Sequence, residues 1–295
     1  MTNQTSSQNA MRTGYARKRA IVNGIVYAIL AIMVIIWIFP IVWLILQSFN
    51  TETGMSTHLF PQGFTLDHYK ALFSEENSQQ YPYGQWMLNT FFVAVLSCVI
   101  STLFILMVSY AFSRLRFKLR KTFLNFGLIL GMFPGFMSMV ATANIMQIFG
   151  LEKSLFALVI VYSAGAGLGY QVAKGFFDTI PRSLDEAAKI DGATRNQIFW
   201  QIILPLSKPI IVYTALTTFI GPWADYIFVS YFMGDKSENY TIARGLYLML
   251  EPESVNKQFT NFCAGAVLIA VPITILFVIM QRFYVAGVTG GAVKG

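Results

Sequence analysis

PRSLDEAAKIDGATRNQIFWQIILP, residues 181–205, is a polar segment with apolar runs on both sides of it. Ser183 and Glu186 have the three-residue spacing of a capping box, which predicts that a helix starts at Leu184. The Ala-Ala pair that follows is strongly helix-forming and carries almost no side chain. Gly192 stands where a helix end favours a left-handed residue. The first half of the segment therefore predicts a short helix that is closed by a turn.

The second half of the segment predicts another helix, from Thr194 to Leu204. Its apolar residues are Ile198, Phe199, Ile202 and Ile203. Pro205 and Pro209 then interrupt the chain where the next apolar run begins. A helix, a turn and a second helix leave two interpretations open. The hairpin either offers a compact small-residue surface to a groove on another protein, or it lies on a membrane surface as an amphipathic element.

Apolar runs surround this segment, and the overall composition is that of a protein in lipid. Of the 295 residues, 55% are hydrophobic and 12% are charged, whereas soluble proteins carry about a quarter charged residues. A hydrocarbon core about 30 Å thick needs roughly 20 apolar residues in a helix. Six segments meet this requirement: 21–47, 87–112, 123–148, 155–176, 209–233 and 260–281. The predicted fold class is therefore all-α integral membrane, with six transmembrane helices.

The positions of the 21 Lys and Arg residues predict the orientation of these helices. They concentrate before the first run, between the second and third, between the fourth and fifth, and after the last. The opposite side holds Lys70, Lys153, Lys236, Arg244 and Lys257. Both termini are therefore predicted to face the cytoplasm, as an N-terminal arm (1–20) and a C-terminal tail (282–295) around a six-span domain (21–281). Arg114 and Arg116 are interpreted as topology markers, and the net charge of +7 indicates topology rather than nucleic-acid binding.

Polar side chains at membrane depth are costly, so they mark either an internal pathway or a buried contact between helices. Asp225 is the one acidic residue inside a predicted span, and it follows a Gly-Pro pair that can kink the helix. Trp223 and Tyr226 lie beside it, and the third span contributes Asn144 and Gln147. These five residues are the candidates for a translocation pathway. The alternative for Asp225 is a structural or interfacial pairing.

The remaining reactive residue types argue against several classes of protein. Cys98 and Cys263 lie in apolar runs and are predicted to pack in the core. His58 and His68, in a polar loop, are predicted to be surface residues without metal-ligand spacing. A membrane-embedded enzyme would need convergent acids, bases or metal ligands in its spans, and a secondary transporter would usually need internal repeats. The chain is thus predicted to have no catalytic residue, no metal and no cofactor of its own.

The polar segment resembles the EAA loop of the permeases of binding-protein-dependent ABC transporters. The matching residues are Glu186, Ala187, Ala188, Gly192, Ile202, Leu204 and Pro205. The C-terminus at 290–295, Met-Phe-Pro at 132–134 and Tyr-Thr-Ile-Ala at 240–243 are similar to the smaller, six-span permease of maltose-type importers. The resemblance covers nearly the whole chain after the N-terminal arm.

This resemblance implies an ABC importer permease fold and a division of labour between subunits. The 181–205 loop, which includes Asp191, would be the coupling element that docks on an ATP-hydrolysing subunit. The tail would contact the same subunits through Gly290, Gly291 and Lys294. The sequence has no G-x-x-x-x-G-K-[ST] phosphate loop, so ATP and Mg²⁺ would be bound by two partner ATPase subunits.

The resemblance also implies a cargo and a location. An extracellular binding protein would deliver a sugar or oligosaccharide, and the loop at 234–259 would reach toward that protein. The pore would be shared with a second, different permease subunit in the lipid bilayer of a bacterial cytoplasmic membrane. A homodimeric pore and a cargo such as a polyamine, phosphate or an amino acid are the alternatives.

Overall fold

The computed structural model describes residues 2–55, 58–132, 135–166 and 169–292, with side chains from 19 to 281 apart from 136 and 166. Within these ranges the chain is helical and contains no sheet, and an isolated β-bridge joins Asn50 and Phe64. The predicted all-α class is confirmed. Three of the described helices are long and apolar enough to cross a membrane by themselves: Arg19–Ser48, Tyr83–Arg114 and Val255–Gln281.

The helices are numbered in chain order. They are α1 (Thr2–Ser48), α2 (Asp67–Ala71), α3 (Glu75–Ser78), α4 (Tyr83–Arg114), α5 (Arg120–Gly131), α6 (Gly135–Ile148), α7 (Leu155–Ala166), α8 (Tyr170–Thr179), α9 (Arg182–Ile190), α10 (Arg195–Leu206), α11 (Lys208–Ala224), α12 (Ile227–Met233), α13 (Ile242–Leu248) and α14 (Val255–Ala292). A 3₁₀ turn, Ser237–Asn239, precedes α13, and α10 is π-helical over Ile198–Ile203.

Two pairs of consecutive helices are bent. The angle is 44° between α7 and α8, and 83° between α10 and α11. By length and composition the described residues contain three membrane-spanning helices, or up to five when each bent pair counts as one span. The predicted third span, 123–148, is divided between α5 and α6, so the predicted count of six spans is not confirmed. Because α10 is nearly perpendicular to α11, it does not extend the predicted fifth span.

Helix α1 unites the predicted N-terminal arm with the first predicted span, since it begins at Thr2. No residue in the most apolar 18-residue stretch of this helix is buried inside the chain. Near its end, the ring of Trp43 lies 5.9 Å from that of Phe259 in α14. The helix therefore keeps most of its apolar surface for surroundings outside this chain.

Helix α4 is the centre of the packing, because α7, α8, α11 and α13 all lie against it. Its buried face carries small polar residues, which allow neighbouring helices to approach closely: Ser97, Ser101, Ser109 and Ser113. Two apolar clusters lie along this helix. One surrounds Trp86 near its first residue, and the other contains Phe177 and Ile203 near its last.

The chain between α12 and α13 is fastened to the first turns of α4. Trp86 Nε1 donates to a carbonyl oxygen of the 3₁₀ turn at 2.9 Å. Asn89 Nδ2 donates to the carbonyl oxygens of Glu238 and Tyr240 at 2.8 and 3.0 Å. A Cβ atom at Gly245 would collide with the Trp86 ring. The contact between α4 and α13 therefore depends on a glycine at this position.

One prediction about the polar loop is wrong. His68 is buried, with its ring nitrogens 3.1 Å from Asn261 Oδ1 and 2.7 Å from the carbonyl oxygen of Asn50. The polar loop folds against α14 and so encloses this imidazole. Both cysteines are free; Cys263 is buried, and Cys98 is half-buried with its Sγ 3.3 Å from the carbonyl oxygen of Ala215. The prediction that the cysteines pack in the core is confirmed.

Candidate functional site

Helix α9 forms the first half of the predicted helical hairpin. It begins at Arg182, two residues before the predicted start at Leu184, and no side chain caps it. The capping box predicted for Ser183 is therefore wrong. Pro181 opens the helix instead, because its fixed φ of −58° suits a helix start and it has no N–H to leave unsatisfied. Ser183 consequently lies inside the first turn, where it cannot act as the cap.

The turn that ends α9 is at Gly192, as predicted. Gly192 has a φ of +85°, a left-handed conformation that other residues adopt with strain. The N–H of Ala193 donates to the carbonyl oxygen of Ala188 at 2.9 Å, and that of Gly192 donates to Lys189 at 3.1 Å. This pair of hydrogen bonds is the Schellman motif, which satisfies carbonyls that the helix end would otherwise leave free.

Helix α10 forms the second half of the hairpin and starts with a capping box. Thr194 Oγ1 accepts from the N–H of Gln197 at 3.3 Å, and the Gln197 side chain accepts from the N–H of Thr194 at 2.8 Å. The predicted second helix is therefore confirmed. Ile203 is buried, whereas Ile202 and Leu204 are half-buried and Pro205 is exposed.

The two alanines of the hairpin face opposite ways. Ala187 is exposed, whereas Ala188 is buried in a cluster that also contains Phe177 and Phe199. A compact small-residue surface on this hairpin would therefore contain Ala187 but not Ala188, because Ala188 is buried against the rest of the chain. The exposed residues of α9 and its turn include Glu186, Ala187, Ile190, Asp191 and Gly192. Ile190 is 87% exposed, which is unusual for so large an apolar side chain.

The interpretation of Arg114 as a topology marker alone is wrong. It is the last residue of α4, and its side chain is 3% exposed. Its Nη1 lies 3.3 Å from Oδ2 of Asp185 in α9. Its Nη2 donates to the carbonyl oxygens of Phe177 and Ile180, both at 2.8 Å. Arg116 is exposed, in keeping with the original interpretation.

Asp185 is the residue of this site that sequence reasoning missed. A signal was present, because Asp185 stands three residues before Ala188 and therefore shares its helix face. A cleft of about 330 Å³ lies beside the ion pair. Its charged lining residues are Arg114, Arg116, Arg182, Lys189, Arg195, Asp185 and Glu186. Basic side chains outnumber acidic ones, so this face of the hairpin favours acidic groups.

Asp225 lies at the break between α11 and α12. Helix α11 continues through Pro222 and ends at Ala224. Asp225 Oδ1 accepts from the N–H of Phe228 at 3.0 Å, and Oδ2 accepts from the hydroxyl of Tyr162 at 2.9 Å. The carboxylate therefore joins three helices, because it caps α12 and holds α7 beside α11.

An open cleft of about 580 Å³ adjoins Asp225 and lies between α6, α7 and α12. Its lining is mostly apolar and includes Ser138, Thr142, Tyr162 and Phe228. The polar groups that it offers are thus two hydroxyls of α6 and the Tyr162–Asp225 pair. This composition, apolar walls with a few polar groups, is typical of a small-molecule site.

The structure does not bring the five pathway candidates together. Trp223 is buried, 5.8 Å from the Phe219 ring, and does not line the cleft. Tyr226 is half-buried and its ring lies 4.2 Å from that of Tyr247. Asn144 and Gln147 are exposed on α6, away from the cleft. Of the five, only Asp225 lines it.

The predicted tail contacts lie at the edge of the described chain. Gly290 and Gly291 belong to α14, which continues beyond the predicted last span to Ala292. Lys294 lies outside the described residues, as do Phe133 and Pro134 of the Met-Phe-Pro motif. Among the side chains that the structure describes, no group of three or more His, Cys, Asp or Glu residues could hold a metal ion.

Known proteins share both the sequence and the fold of this chain. It is 38% identical over 271 residues to the galactooligosaccharides transport system permease protein GanQ of Bacillus subtilis, with 91% of this chain and 94% of the relative covered. It is 35% identical to the maltodextrin transport system permease protein MalD of Streptococcus pneumoniae, with 97% and 100% covered. The maltose/maltodextrin permease protein MalG of Vibrio vulnificus is 34% identical, with 88% and 91% covered.

Two solved structures support the fold. A bacterial ABC transporter that imports the acidic polysaccharide alginate superposes with a TM-score of 0.73 at 23% identity, covering 91% of this chain and 97% of that one. The methionine transporter MetNI superposes with a TM-score of 0.56 at 22% identity, covering 73% and 99%. A sequence profile matches residues 106–290, which include α9, the turn and α10. The chain belongs to the family of inner membrane components of binding-protein-dependent transport systems.

Proposed function

We propose that this chain is the permease subunit of an ATP-driven importer for a sugar or oligosaccharide. The observation that carries the proposal is the outward face of α9, which projects Glu186, Ala187 and Ile190 from a helix that is itself anchored by the buried Ala188 and Asp185. Such a face, exposed but rigidly held, suits docking on a partner protein. The partner is an ATP-hydrolysing subunit, which supplies the ATP and Mg²⁺ sites.

Ile190 and Glu186 have separate roles in this docking. Burying a fully exposed isoleucine is worth about 2 kcal/mol, so Ile190 would occupy an apolar pocket of the ATPase subunit. Glu186 and Asp191 would make polar contacts around it. The exposed basic residues of the adjacent cleft would meet acidic groups of the same partner. Ile202, Leu204 and Pro205 act indirectly, since they position α10 and its bend into α11.

The cargo is a galactooligosaccharide or a maltodextrin. GanQ, MalD and MalG are transport system permease proteins for galactooligosaccharides or maltodextrins, which supports this class. Within this chain, the open cleft beside Asp225 supplies half of a passage, and a second permease subunit would close its open side. Tyr226, whose ring packs at 40° against that of Tyr247 beside Arg244, is the aromatic candidate for a sugar contact, although it lies outside the cleft lining. Trp223, Asn144 and Gln147 lie outside the cleft lining, so they would contact cargo only if the helices that carry them moved.

The proposed topology places both termini and the α9–α10 hairpin in the cytoplasm of a bacterial cell. The loop at 234–259 then faces the external binding protein. Two ATPase subunits would serve the two permeases, and Gly290, Gly291 and Lys294 would extend the docking surface. The most apolar stretch of helix α1 is not buried within this chain, so the helix would lie against lipid and the second permease.

Co-purification tests the proposal. The intact chain and a Glu186→Lys, Ile190→Asp double variant are isolated from membranes, bound proteins are identified by mass, and ATP hydrolysis is measured with maltodextrins, galactooligosaccharides and the binding protein. We expect the intact chain to bring an active ATPase and a second permease, and the variant to lose the ATPase. Glu76→Lys, an exposed change in α3, is the matched control and should behave as the intact chain does.

Two results would contradict parts of the proposal. If the intact chain retains no ATP-hydrolysing subunit, the importer assignment fails. If the complex assembles but hydrolysis rises only with a polyamine, phosphate or an amino acid, the carbohydrate assignment fails while the importer assignment stands.

A further inference from the structure

One guanidinium joins three helices at the end of α4. Arg114 ends α4, contacts Asp185 of α9 through Nη1, and contacts the carbonyl oxygens of Phe177 and Ile180 at the end of α8 through Nη2. The side chains of the ion pair are 3% and 11% exposed, so water and salt screen their attraction little. No other ion pair between described residues connects α9 to the rest of the chain.

We propose that the Arg114–Asp185 ion pair is the joint through which displacement of α9 moves α4. The proposal rests on the proposed function, in which α9 docks on an ATPase subunit. Arg114 and Asp185 are positioning residues, because neither is on the outward face that would touch the partner. Their task is to keep α9 and α4 connected while α9 is displaced.

The ion pair gives the contact between α9 and α4 a preferred geometry, which the apolar contacts of α9 do not supply. Ala188 and its cluster hold α9 against α4 and α8, but apolar attraction has no preferred direction. A buried charge pair adds a preferred geometry to this contact, because separation would leave a charge without a partner. Among the described residues, Arg182 Nη2 of α9 also donates to the carbonyl oxygen of Ser113 at 3.3 Å, and the Tyr110 hydroxyl donates to the carbonyl oxygen of Arg195 in α10 at 3.2 Å.

The geometry also allows the pair to persist through a small movement. Arg114 Nε and Asp185 Oδ1 are buried and have no hydrogen-bond partner among the described residues. A fork-shaped pair between guanidinium and carboxylate uses two parallel N–H···O bonds. The spare donor and acceptor would let the two side chains exchange contacts as α9 tilts, without breaking the joint.

Helix α4 is suited to carry this displacement across the molecule. It extends from the Arg114 end to the Tyr83 end without a proline, and at that far end Trp86 and Asn89 hold the segment that precedes α13. Movement of α9 would therefore reach the opposite side of the protein through one rigid helix. It would also reach α7 and α11, which pack along α4; α7 lines the Asp225 cleft, and α11 ends at the residue before Asp225.

The test compares Arg114→Gln, Asp185→Asn and the double variant in the complete transporter, reconstituted with its ATPase, second permease and binding protein. The readout is maltodextrin or galactooligosaccharide taken up per ATP hydrolysed, beside complex yield and melting temperature. In each single variant we expect the ATPase to remain bound and uptake per ATP to fall roughly tenfold, within the range of couplings between sites.

The Arg114→Gln, Asp185→Asn double variant distinguishes an effect on uptake per ATP from an effect on stability. Because it buries no unpaired charge, it should regain melting temperature and yield while uptake per ATP stays low. Asp185→Glu, which keeps the charge beside a cleft with room for one more methylene, should retain most of the coupling. Lys174→Gln, which removes the 2.6 Å ion pair to Asp178 within α8, is the matched control and should couple normally.

The outcomes distinguish this inference from the proposed function. If the intact complex contains no ATPase or moves no sugar, the proposed function fails. If the intact complex works and the double variant recovers uptake per ATP together with its stability, the ion pair is only a structural contact and the inference is overturned. Unchanged uptake per ATP in Asp185→Asn would also overturn it.

Discussion

The two ends of α4 are built differently. At the Tyr83 end, Trp86 and Asn89 hold the neighbouring segment by neutral hydrogen bonds, and Gly245 packs directly on the Trp86 ring. At the Arg114 end, a buried ion pair holds α9, whose other face projects into solvent. Close neutral packing tolerates little movement, because any shift produces collisions. The first end is therefore a close-packed attachment, and the second holds a helix whose outward face is exposed; we propose that this second end is the joint.

The largest effect is expected where the packing is tightest. Gly245→Leu would force a side chain into the buried Trp86 ring, and overpacking of this severity should lower the free energy of unfolding by about 3 kcal/mol or more. The measurement is the melting temperature and yield of the purified chain in detergent. Gly175→Ala, at an exposed helical position with no atom within 4 Å of the new Cβ, should leave both unchanged or slightly raised.

The hydrogen bonds of Asn89 at the Tyr83 end of α4 give the second prediction. Asn89→Leu removes both donors to the Glu238 and Tyr240 carbonyls, and the buried acceptors left without partners should cost about 2 kcal/mol. Limited proteolysis between α12 and α13 would report the released segment. Equal protease resistance of the variant and the intact chain would show that this end is not held by Asn89. Asn144→Leu, at an exposed position, is the control.

The turn of the hairpin gives a smaller effect. Gly192→Ala places a Cβ at a φ of +85° but meets no neighbouring atom, so the cost should be about 1 kcal/mol from backbone strain alone. We expect the chain to fold, with a small fall in melting temperature and a larger fall in uptake per ATP, because the direction of α9 depends on the turn. A variant with normal uptake would show that the turn does not position α9.

The smallest effect on stability is expected on the outward face of α9. Ile190→Ser changes a side chain that is 87% exposed, so the melting temperature of the isolated chain should not fall. The affinity for the ATPase subunit should fall, since about 2 kcal/mol of apolar burial would be lost. Titration of the detergent-solubilised permease complex with the ATPase measures this, and an unchanged affinity would remove Ile190 from the docking surface.

Local chemistry explains which features could be predicted from the sequence. The helix–turn–helix at 181–205 follows from Gly192, Thr194 and the proline positions, all of which act on their immediate neighbours. The start of α9 differs from the predicted one because the helix follows Pro181 directly, and Ser183 lies inside its first turn. The predicted third span followed from hydropathy alone, which does not report the division of 123–148 between α5 and α6.

Contacts between distant segments could not be predicted in the same way. Arg114 and Asp185 belong to helices that meet only in the folded chain, and the distribution of Lys and Arg residues gave Arg114 the same interpretation as the exposed Arg116. His68 was misplaced for the same reason, since its partner Asn261 lies in α14. The pathway candidates were chosen by residue type, and only the fold shows that Trp223 packs in the core while Asp225 lines the cleft.

Site-specific photocrosslinking from position 190 tests whether the outward face of α9 docks on an ATP-hydrolysing subunit. A photoreactive phenylalanine analogue replaces Ile190 in the complete transporter in native membranes, and Glu76 is replaced in the same way as a control. We expect an ATP-sensitive adduct with the ATP-hydrolysing subunit from position 190 and none from position 76. Adducts with lipid alone from position 190 would contradict it, because α9 would then lie on the membrane surface rather than on a partner.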